Sequence, residues 1–380
     1  MKILIVSNNV YMRGNGVSSA VKALKARLDD EQIEVRLLAG ENPDKSGPQP
    51  EYPLKHFVFP IFEPIIEKNG YRYPKIDKQI IEEAVRWADV IHLMEAFPLQ
   101  SATVKIAERL GKPCVGTFHI FSENVTANLG IKGHTFINKC INKWWSTAVY
   151  NHCKYVQAPT ERVKNYLVAN GYSSTMRVIS NGIDLTHSPA ELTEPQRDPY
   201  RILSVGRLSN EKDQITLLRA MRHSKHAHNI ELHFAGNGPK ADKIKRMANR
   251  LYEEGTLKHK PIFGFYTLAE LQQLAASSWL YIHCAIVEVE GLSCLEAIQQ
   301  GAVPVIASCD LSATAQFALD EHSLFPVSDY KALAERIDWW IEHPEKRLSM
   351  SQPYAESVKK YDVKESTRNI IKMYEDALHC

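Results

Sequence analysis

The sequence predicts an α/β protein built from two units, each a parallel sheet with helices on both faces. Short continuous apolar runs, such as residues 3–6, alternate with segments of helical spacing along the whole chain. Continuous apolar runs are typical of parallel strands that are buried on both faces. The chain has 380 residues, more than one core commonly organises, so two domains are expected.

Composition removes several other classes of protein from consideration. Apolar residues make up 44% and charged residues 24%, as in ordinary globular proteins. The seven cysteines show no C-x-x-C spacing, so we expect reduced thiols in a cytoplasmic protein. No apolar run reaches the roughly 18 residues of a membrane-spanning helix, and the N-terminus lacks the apolar region of a signal peptide. The net charge is only +2, and no nucleic-acid partner is expected.

The first domain is expected over residues 1–185 and opens with a strand, a glycine loop and a helix. The strand covers 2–7, the loop ends at Gly16, and the helix covers 17–28. This order is typical of phosphate-binding turns, although a simple tight turn explains it equally well. The third glycine of a dinucleotide-binding motif is absent, and Glu34 comes too early to bind its ribose, which disfavours a nicotinamide oxidoreductase.

Further buried strands and helices follow in alternation, and one of them leads to a candidate site residue. His119 comes directly after the strand predicted at 114–118. Ligands of open α/β sheets bind at the carboxyl ends of the strands, so His119 is a candidate. A packed polar histidine is the alternative. The other predicted strands cover 35–38, 90–93, 155–158 and 177–179. The other predicted helices cover 76–87, 99–110 and 161–169, the last with Thr160 as its N-cap.

The helix predicted over residues 136–151 combines basic and aromatic residues. It carries Lys139 and Lys143 together with Trp144 and Trp145. A basic, tryptophan-bearing amphipathic helix can lie in a membrane interface. Residues 1–190 also hold 23 Lys/Arg against 18 Asp/Glu, a mildly basic balance. The alternative is an ordinary helix whose tryptophan pair packs in the core, so peripheral membrane contact stays open.

A proline-rich segment, residues 186–199, is expected to link to a second α/β domain over 200–358. Its first strand ends in Gly206 and Arg207, with Lys212 close behind. Two cations at the carboxyl end of a strand suit a diphosphate, the guanidinium as a fork and the ammonium as a point charge. Alternatively, Arg207 and Lys212 are two unrelated surface charges. The C-terminal helix within 359–380 is expected to cross back to the first domain.

The most informative stretch of the chain is residues 281–307. It is predicted to form a strand, a loop with Glu288, a helix over 292–300 and a second strand. Glu296 then lies about one turn into the helix. The first N–H groups of a helix have no acceptor inside it and suit a phosphate or a sugar hydroxyl. These groups belong to Gly291, Leu292 and Ser293. Alternatively, Glu288 and Glu296 are simply two solvated charges of the loop and the helix.

Taken together, these motifs resemble the family 4 retaining glycosyltransferases of the GT-B fold, also known as glycosyltransferase group 1. The resemblance covers nearly the whole length of the chain. It rests on the E-x7-E motif of Glu288 and Glu296 with Gly291 between them, G-R…E-K at 206–212, N-G-x-D at 181–184, G-x-G-P at 236–239, the glycine loop at 14–17, and the segment EAIQQGAVPVIA at 296–307.

The resemblance implies two Rossmann-like, doubly wound parallel-sheet domains facing a cleft, with the acceptor side in the first domain and the donor side in the second. It also implies a nucleotide-sugar donor, with a UDP-sugar favoured, and transfer of a hexose with retention of configuration. No cofactor and no obligatory metal ion are expected. The absence of a D-x-D motif agrees with this.

The resemblance also assigns roles to residues of the second domain. Arg207 and Lys212 would neutralise the diphosphate leaving group. Glu296 would bind the ribose hydroxyls, and Glu288 a hydroxyl of the transferred sugar. The N–H groups of residues 291–293 would help to hold the sugar and the phosphate.

In the first domain, His119 matches the T-x-H position that contacts the donor sugar near the reaction centre. Gly16 would let its loop approach the phosphate. The sequence departs from the family pattern at Glu290, where Phe is usual, at His283-Cys284, where Pro-Ser is common, and at 308–310, where Gly-Gly is usual. These departures concern the identity of the donor sugar more than the class of reaction.

The acceptor stays open between two classes. The helix at 136–151 and the basic first half favour a lipid or a lipid-linked glycan of cell-envelope biosynthesis, at the inner face of the membrane. A soluble acceptor is the alternative. From other classes of function, a catalytically silent homologue that binds sugar nucleotides and a nicotinamide oxidoreductase also have to be considered.

Overall fold

The chain divides into two compact units: the first is Met1–Asn181 with Lys364–Cys380, and the second is Gly182–Val363. The computed structural model describes residues 1–12, 16–60, 63–68, 71–128, 135–189 and 191–379. Of the predicted glycine loop, Gly14 and Asn15 lie outside these described residues. Residues 186–199, expected to be a linker, belong to the second unit.

The first unit contains a seven-stranded parallel sheet of order β3-β2-β1-β6-β7-β8-β9. A short antiparallel pair, β4 with β5, stands beside it. The strands are β1 (Lys2–Ser7), β2 (Glu34–Gly40), β3 (Tyr52–Leu54), β4 (His56–Phe57), β5 (Tyr73–Pro74), β6 (Val90–Leu93), β7 (Cys114–Thr117), β8 (Tyr155–Ala158) and β9 (Thr175–Val178). Strand β1 lies between β2 and β6 inside the sheet, and its apolar run from Ile3 to Val6 is fully buried, as predicted.

Two helices of this unit begin where a side chain satisfies their first N–H groups. Asp77 caps α3 by accepting from the N–H groups of Gln79 and Ile80, and Thr160 caps α7 through the N–H of Val163. The helices are α1 (Gly16–Asp30), α2 (Glu63–Lys68), α3 (Lys78–Trp87), α4 (Pro98–Arg109), α5 (Ser122–Asn128), α6 (Thr135–Ala148) and α7 (Glu161–Ala169).

The helix predicted over 136–151 is shorter than expected. Helix α6 ends at Ala148, because Val149 leaves the helical region with φ −138° and ψ −70°. A separate 3₁₀ turn, Tyr150–His152, follows. The tryptophan pair divides between core and surface: Trp145 is buried and Trp144 is exposed.

The second unit contains a six-stranded parallel sheet of order β12-β11-β10-β13-β14-β15. Its strands are β10 (Tyr200–Val205), β11 (Ile230–Ala235), β12 (Ile262–Gly264), β13 (Leu280–His283), β14 (Val303–Ser308) and β15 (Leu324–Pro326). Its helices are α8 (Gln214–Ala220), α9 (Ala241–Glu253), α10 (Leu268–Ala276), α11 (Leu292–Gln299), α12 (Tyr330–Glu342) and α13 (Pro344–Ser357). Both sheets confirm the predicted fold class of parallel, Rossmann-like units.

The last helix, α14 (Val363–His379), is tied to the first unit by a chain of buried hydrogen bonds. The Thr117 hydroxyl donates to Gln157 Oε1 at 2.7 Å, so it accepts from His92 Nε2 at 2.7 Å. Nδ1 of His92 then accepts from the Tyr374 hydroxyl at 2.7 Å. Burial lowers the pKa of His92 to about 3, which fits this neutral tautomer. The chain of bonds therefore fixes α14 against β6 and β7.

Candidate functional site

The predicted acid Glu288 and cation Lys212 form a largely buried ion pair in the second unit. Lys212 Nζ donates to Glu288 Oε2, and the two side chains are only 21% and 15% exposed. Glu288 lies in the loop between β13 and α11. Two backbone hydrogen bonds anchor this loop: Glu288 N–H donates to Leu311 O, and Ala313 N–H donates to Glu288 O, both at 2.9 Å. The carboxylate is therefore held in one place before any ligand arrives.

The electrostatics of the pair keep Glu288 ionised. Burial alone would raise the pKa of its carboxyl group, but the ammonium of Lys212 outweighs burial, and the pKa is lowered to about 2. An ionised carboxylate accepts hydrogen bonds only, which is the chemistry that holds a sugar hydroxyl. The ammonium of Lys212 has three donors, and one of them serves Glu288.

A buried polar network connects the ion pair to the start of α11. The Ser293 and Tyr281 hydroxyls lie 3.0 Å apart, and the Tyr281 hydroxyl lies 3.3 Å from His283 Nδ1. His283 Nε2 is buried 3.5 Å from Glu288 Oε2 without forming a hydrogen bond. Burial lowers the pKa of His283 even beside the carboxylate, which favours a neutral ring. Sequence reasoning missed Tyr281, although the period of a strand places 281 and 283 on one face of β13.

Gly291 makes the turn between Glu288 and α11, and only glycine fits there. Its φ is +87°, in the left-handed region. A Cβ at this position would lie 2.2 Å from Thr314 Cγ2 and 3.4 Å from Glu288 Cγ. Gly291 is the N-cap of α11, so the N–H groups of Leu292 and Ser293 belong to the first turn, whose donors have no acceptor within the helix. This arrangement suits an anion or a hydroxyl beside Glu288.

Glu296 lies one turn further along α11 and lines a pocket with mainly apolar walls. Leu203 and Val205 of β10 form one wall, Leu268 and Leu271 form another, and Ser293 lies beside Glu296. Burial raises the pKa of Glu296 to about 6. Its carboxyl group has no hydrogen bond or ion pair within the described part of the chain. An apolar slot with one acceptor group suits a flat ring that carries hydroxyls.

Arg207 stands on a turn that is locked by glycines. A Cβ at Gly236 would lie 2.2 Å from Gly206 O, and one at Gly238 would lie 2.4 Å from Leu208 O. Leu208 N–H donates to Asn237 O at 2.9 Å, so the turns after β10 and β11 interlock. The Arg207 carbonyl accepts from Gln214 Nε2 at 2.9 Å. Since side chains cannot fit between these two turns, the glycines fix the backbone that carries Arg207.

The other two predicted site residues belong to the first unit. His119 follows β7, and its buried Nε2 makes no hydrogen bond among the residues that the structure describes. Burial lowers the pKa of His119 to about 4, so its ring is neutral near pH 7. Gly16 begins α1, and no described atom lies within 4 Å of the position of a Cβ there. The second unit brings together Lys212, Glu288, Gly291, Ser293 and Glu296.

One cluster of potential metal ligands exists among the described residues, and it lies outside this site. It consists of His56, Glu63 and Glu67 in the first unit, with ligand atoms within 4.8 Å of one another. His56 Nε2 lies 2.7 Å from Glu63 Oε1, and Glu67 lies 3.2 Å from Arg72 Nε. Because each of the three groups already has a hydrogen-bond or ion-pair partner, we assign no metal ion to them.

Two Rossmann-like parallel-sheet units in one chain, the second carrying this acid and base pair, define the class of GT-B glycosyltransferases. Family models agree along almost the whole chain. "Glycosyltransferase Family 4" matches residues 14–187, and "Glycosyl transferases group 1" matches residues 190–356. The chain belongs to this glycosyltransferase family, which confirms the resemblance seen in the sequence.

Each individual relative either has a low sequence identity to this chain or matches only part of it. An uncharacterized glycosyltransferase of Methanocaldococcus jannaschii is 25% identical over 218 residues, and the match spans 54% of this chain and 54% of that relative, about half of each. Anabaena HepE in complex with UDP-glucose is 15% identical over 99% of this chain and 100% of its own, with a TM-score of 0.71, and shows the fold. The catalytic domain of cholesterol-alpha-glucosyltransferase from Helicobacter pylori is 45% identical over 43% of this chain and 99% of its own, with a TM-score of 0.40.

Within the described ranges, none of the helices combines the length and the apolar character that crossing a membrane requires.

The turn at Gly291 gives a prediction with a matched control. We expect Gly291→Ala to destabilise the protein by about 1–3 kcal/mol more than Gly255→Ala. Both glycines have positive φ, +87° and +75°, so both substitutions carry the cost of left-handed backbone, about 1–2 kcal/mol. Only the Cβ at 291 meets another atom, Thr314 Cγ2. Urea unfolding of both variants measures the difference, and equal costs would refute the steric argument.

Proposed function

We propose that the protein is a retaining glycosyltransferase that moves a hexose from a UDP-sugar to a hydroxyl of a lipid or lipid-linked glycan. The acceptor would be met at the cytoplasmic face of a membrane. The observation that carries this proposal is the largely buried pair of Lys212 and Glu288 beside the N-terminus of α11. It combines an acceptor for a sugar hydroxyl with donors for a diphosphate in one small volume.

The diphosphate leaving group is the centre of the proposed chemistry. Negative charge develops on it as the bond to the sugar breaks, and groups aimed at that charge lower the barrier. Arg207 supplies a guanidinium, Lys212 its two remaining N–H donors, and residues 291–293 the backbone N–H groups of α11. Because these cations and dipoles supply the charge that a metal ion supplies in other transferases, we propose that no metal and no cofactor are needed.

The remaining acids are assigned to the sugars of the donor. Glu288, ionised and fixed, accepts from a hydroxyl of the transferred hexose. Glu296 accepts from the ribose hydroxyls while the base lies against the apolar walls around Leu203 and Leu268. The choice of uridine and glucose as first candidates is supported by the UDP-glucose bound in Anabaena HepE.

Retention is proposed to follow from attack on the face that the leaving group has just left. The acceptor oxygen bonds to the anomeric carbon, the bond from that carbon to the diphosphate oxygen breaks, and the hydroxyl proton passes to the departing phosphate. Neutral His119 contacts the donor sugar near this centre, and Gly16 lets its loop approach the phosphate.

A lipid acceptor is supported by the exposed face of α6. Phe136, Cys140 and Trp144 follow one another at four-residue spacing on that face; Phe136 is 78% and Trp144 41% exposed. Lys139 and Lys143 lie beside them, and α6 contains no acid. The opposite face, with Trp145, is buried. Aromatic rings flanked by lysines on one helix face suit the headgroup region of an anionic membrane.

Lys212 gives the direct test of the transferase. Without acceptor, we expect slow hydrolysis of one UDP-sugar, with the α-anomer released first, and we expect Lys212→Met to lower the rate about 10²–10³-fold. The matched control is Lys225→Met, which breaks an exposed Lys–Glu pair and should leave the rate unchanged. Proton NMR follows both the rate and the anomer.

Other outcomes of this experiment identify the alternatives. A β-anomer as first product contradicts retention. A rise in melting temperature with UDP but no turnover identifies a silent homologue that binds sugar nucleotides. No shift with any UDP-, GDP-, ADP- or CMP-sugar, together with fluorescence of a bound nicotinamide, would instead support an oxidoreductase.

Glu296 predicts a pH dependence of donor binding. Its pKa is raised to about 6, so it is ionised at pH 7.5 and protonated at pH 5. A carboxylate accepts from ribose hydroxyls more strongly than a neutral acid, so affinity for UDP-glucose should fall by about tenfold over this range. The diphosphate of UDP-glucose does not titrate there. Calorimetry should show a flat profile for Glu296→Gln, and an equally steep profile in that variant refutes the assignment.

The α6 face predicts membrane binding. We expect the protein to co-sediment with anionic vesicles at low salt, and Phe136→Ser with Trp144→Ser to weaken this about tenfold or more, because two apolar rings no longer insert. Phe265→Ser is the control, since Phe265 is 77% exposed but lies in the second unit. A wild type that does not bind vesicles at low salt would contradict the membrane-bound version of the proposal.

A further inference from the structure

The first unit contains a second pocket, at the carboxyl ends of β1 and β2, that the proposed donor chemistry does not use. Among the residues that line it are Asn8, Asn9, Tyr11, Glu41, Arg72 and Tyr73. Behind the pocket, the backbones of Gly40 and Asn8 come so close together that a Cβ at Gly40 would lie 2.9 Å from Asn8 O. Ligands of open parallel sheets bind at this end of the strands.

The amides at the base of the pocket are buried without partners. Asn8 is 2% exposed, and neither its Nδ2 nor its Oδ1 has a hydrogen bond among the described residues. Asn9 uses Oδ1 to accept from Arg72 N–H at 2.9 Å, while its buried Nδ2 is unpartnered. A buried amide without partners is costly, so native proteins rarely keep one unless a ligand or water satisfies it.

The charged groups of the pocket, in contrast, already have partners. Glu41 pairs with Lys45 at 2.5 Å, and His56 pairs with Glu63 at 2.7 Å. Arg72 Nε lies 3.2 Å from Glu67 Oε1 but outside hydrogen-bond geometry, so it is one more available donor. With its charges balanced, the pocket offers amide donors and an amide acceptor. Hydroxyl groups, which both donate and accept, match this set better than an anion does.

The side walls suit a sugar ring. Tyr11 and Tyr73 line the pocket, and aromatic faces pack against the C–H faces of pyranoses. The ring of Tyr73 is held by Phe97, with centroids 5.4 Å apart, and by Phe59, with centroids 5.7 Å apart. A ring fixed in this way loses little freedom when a ligand packs on it.

An apolar rim continues from the pocket. His56 of β4 lines the pocket, and the next two residues, Phe57 and Val58, are exposed. From Tyr73, the aromatic contacts run through Phe97 to Trp145 of α6, whose ring lies 6.1 Å from that of Phe97. The pocket therefore lies one aromatic layer from the helix that carries the exposed Phe136 and Trp144.

We infer that this pocket binds the pyranose of a neutral glycoside, with its apolar aglycone along Phe57 and Val58. The sugar hydroxyls bond to the amides of Asn8 and Asn9 and to Arg72 Nε, and the ring packs on Tyr11 and Tyr73. That this glycoside is the acceptor of the transfer rests on the proposed function. The binding of the glycoside to this pocket does not depend on the proposed function.

Binding is measured by saturation-transfer NMR on the full chain, with a panel of methyl hexopyranosides, their n-hexyl counterparts and inorganic phosphate. Saturating UDP is added to occupy the donor site. We expect at least one methyl glycoside to bind and its hexyl form to bind about tenfold more tightly, through the buried methylenes. Asn8→Leu should weaken binding about tenfold or more without lowering the melting temperature, because no protein partner is lost.

Two variants complete the experiment. Asn165→Leu, at an exposed position of α7, should leave binding unchanged. Tyr11→Ala tests the aromatic wall independently and should also weaken binding, which covers the case in which Asn8→Leu does not fold.

The outcomes separate this inference from the proposed function. If phosphate alone binds, or if glycosides bind equally well to Asn8→Leu and Tyr11→Ala, the inference is wrong. If no glycoside binds while UDP-glucose is still hydrolysed, the pocket is refuted and the transferase stands. If glycosides bind through Asn8 but no donor is turned over, the pocket stands and the transferase is refuted.

Discussion

The second unit is organised around one electrostatic constraint, the largely buried charge of Glu288. An unpaired buried carboxylate would cost several kcal/mol or would bind a proton. The ion pair with Lys212 prevents the energetic cost and the protonation. The pair can form only because the backbone positions the Lys212 side chain next to the loop of Glu288. The Gly291 turn, the bonds of Glu288 to Leu311 and Ala313, and the interlocked glycine turns around Arg207 all maintain this geometry. The sequence motifs of the second unit therefore act together to hold the charges of Lys212 and Glu288 in fixed positions.

Local signals explain why much of this could be predicted from the sequence. Continuous apolar runs such as Ile3–Val6 indicate buried parallel strands, and Thr160 caps α7 with the hydrogen bond expected of an N-cap. Gly291 and Gly236 could be predicted as special positions because the reasons for them, positive φ and close approach of two backbones, leave glycine as the residue that fits.

Other features depend on contacts that no local pattern encodes. His92 and Tyr374 are hydrogen-bonded although 282 positions separate them in the chain. The relation of Tyr281 to Ser293 depends on how β13 meets α11. Asn8 was one polar residue after a strand in the sequence, and only its burial without partners distinguishes it. In α6, neighbouring tryptophans point to opposite sides, and the sequence alone does not determine which one faces the core.

The proposed donor site and the first-unit pocket differ in their charged groups, and this difference fits the ligands proposed for them. A sugar nucleotide brings negative charge, and a site for it has to hold opposite charge in place before binding, as Lys212 does through Glu288. A glycoside brings only neutral hydroxyls, which need hydrogen-bond donors and acceptors but no opposite charge. A buried amide without partners, such as that of Asn8, lowers the stability of the free protein. It favours a ligand whose groups both donate and accept hydrogen bonds. Because bonding to hydroxyls would lower the energy of these amides, we propose that the first unit is the part of the chain where acceptor specificity is built.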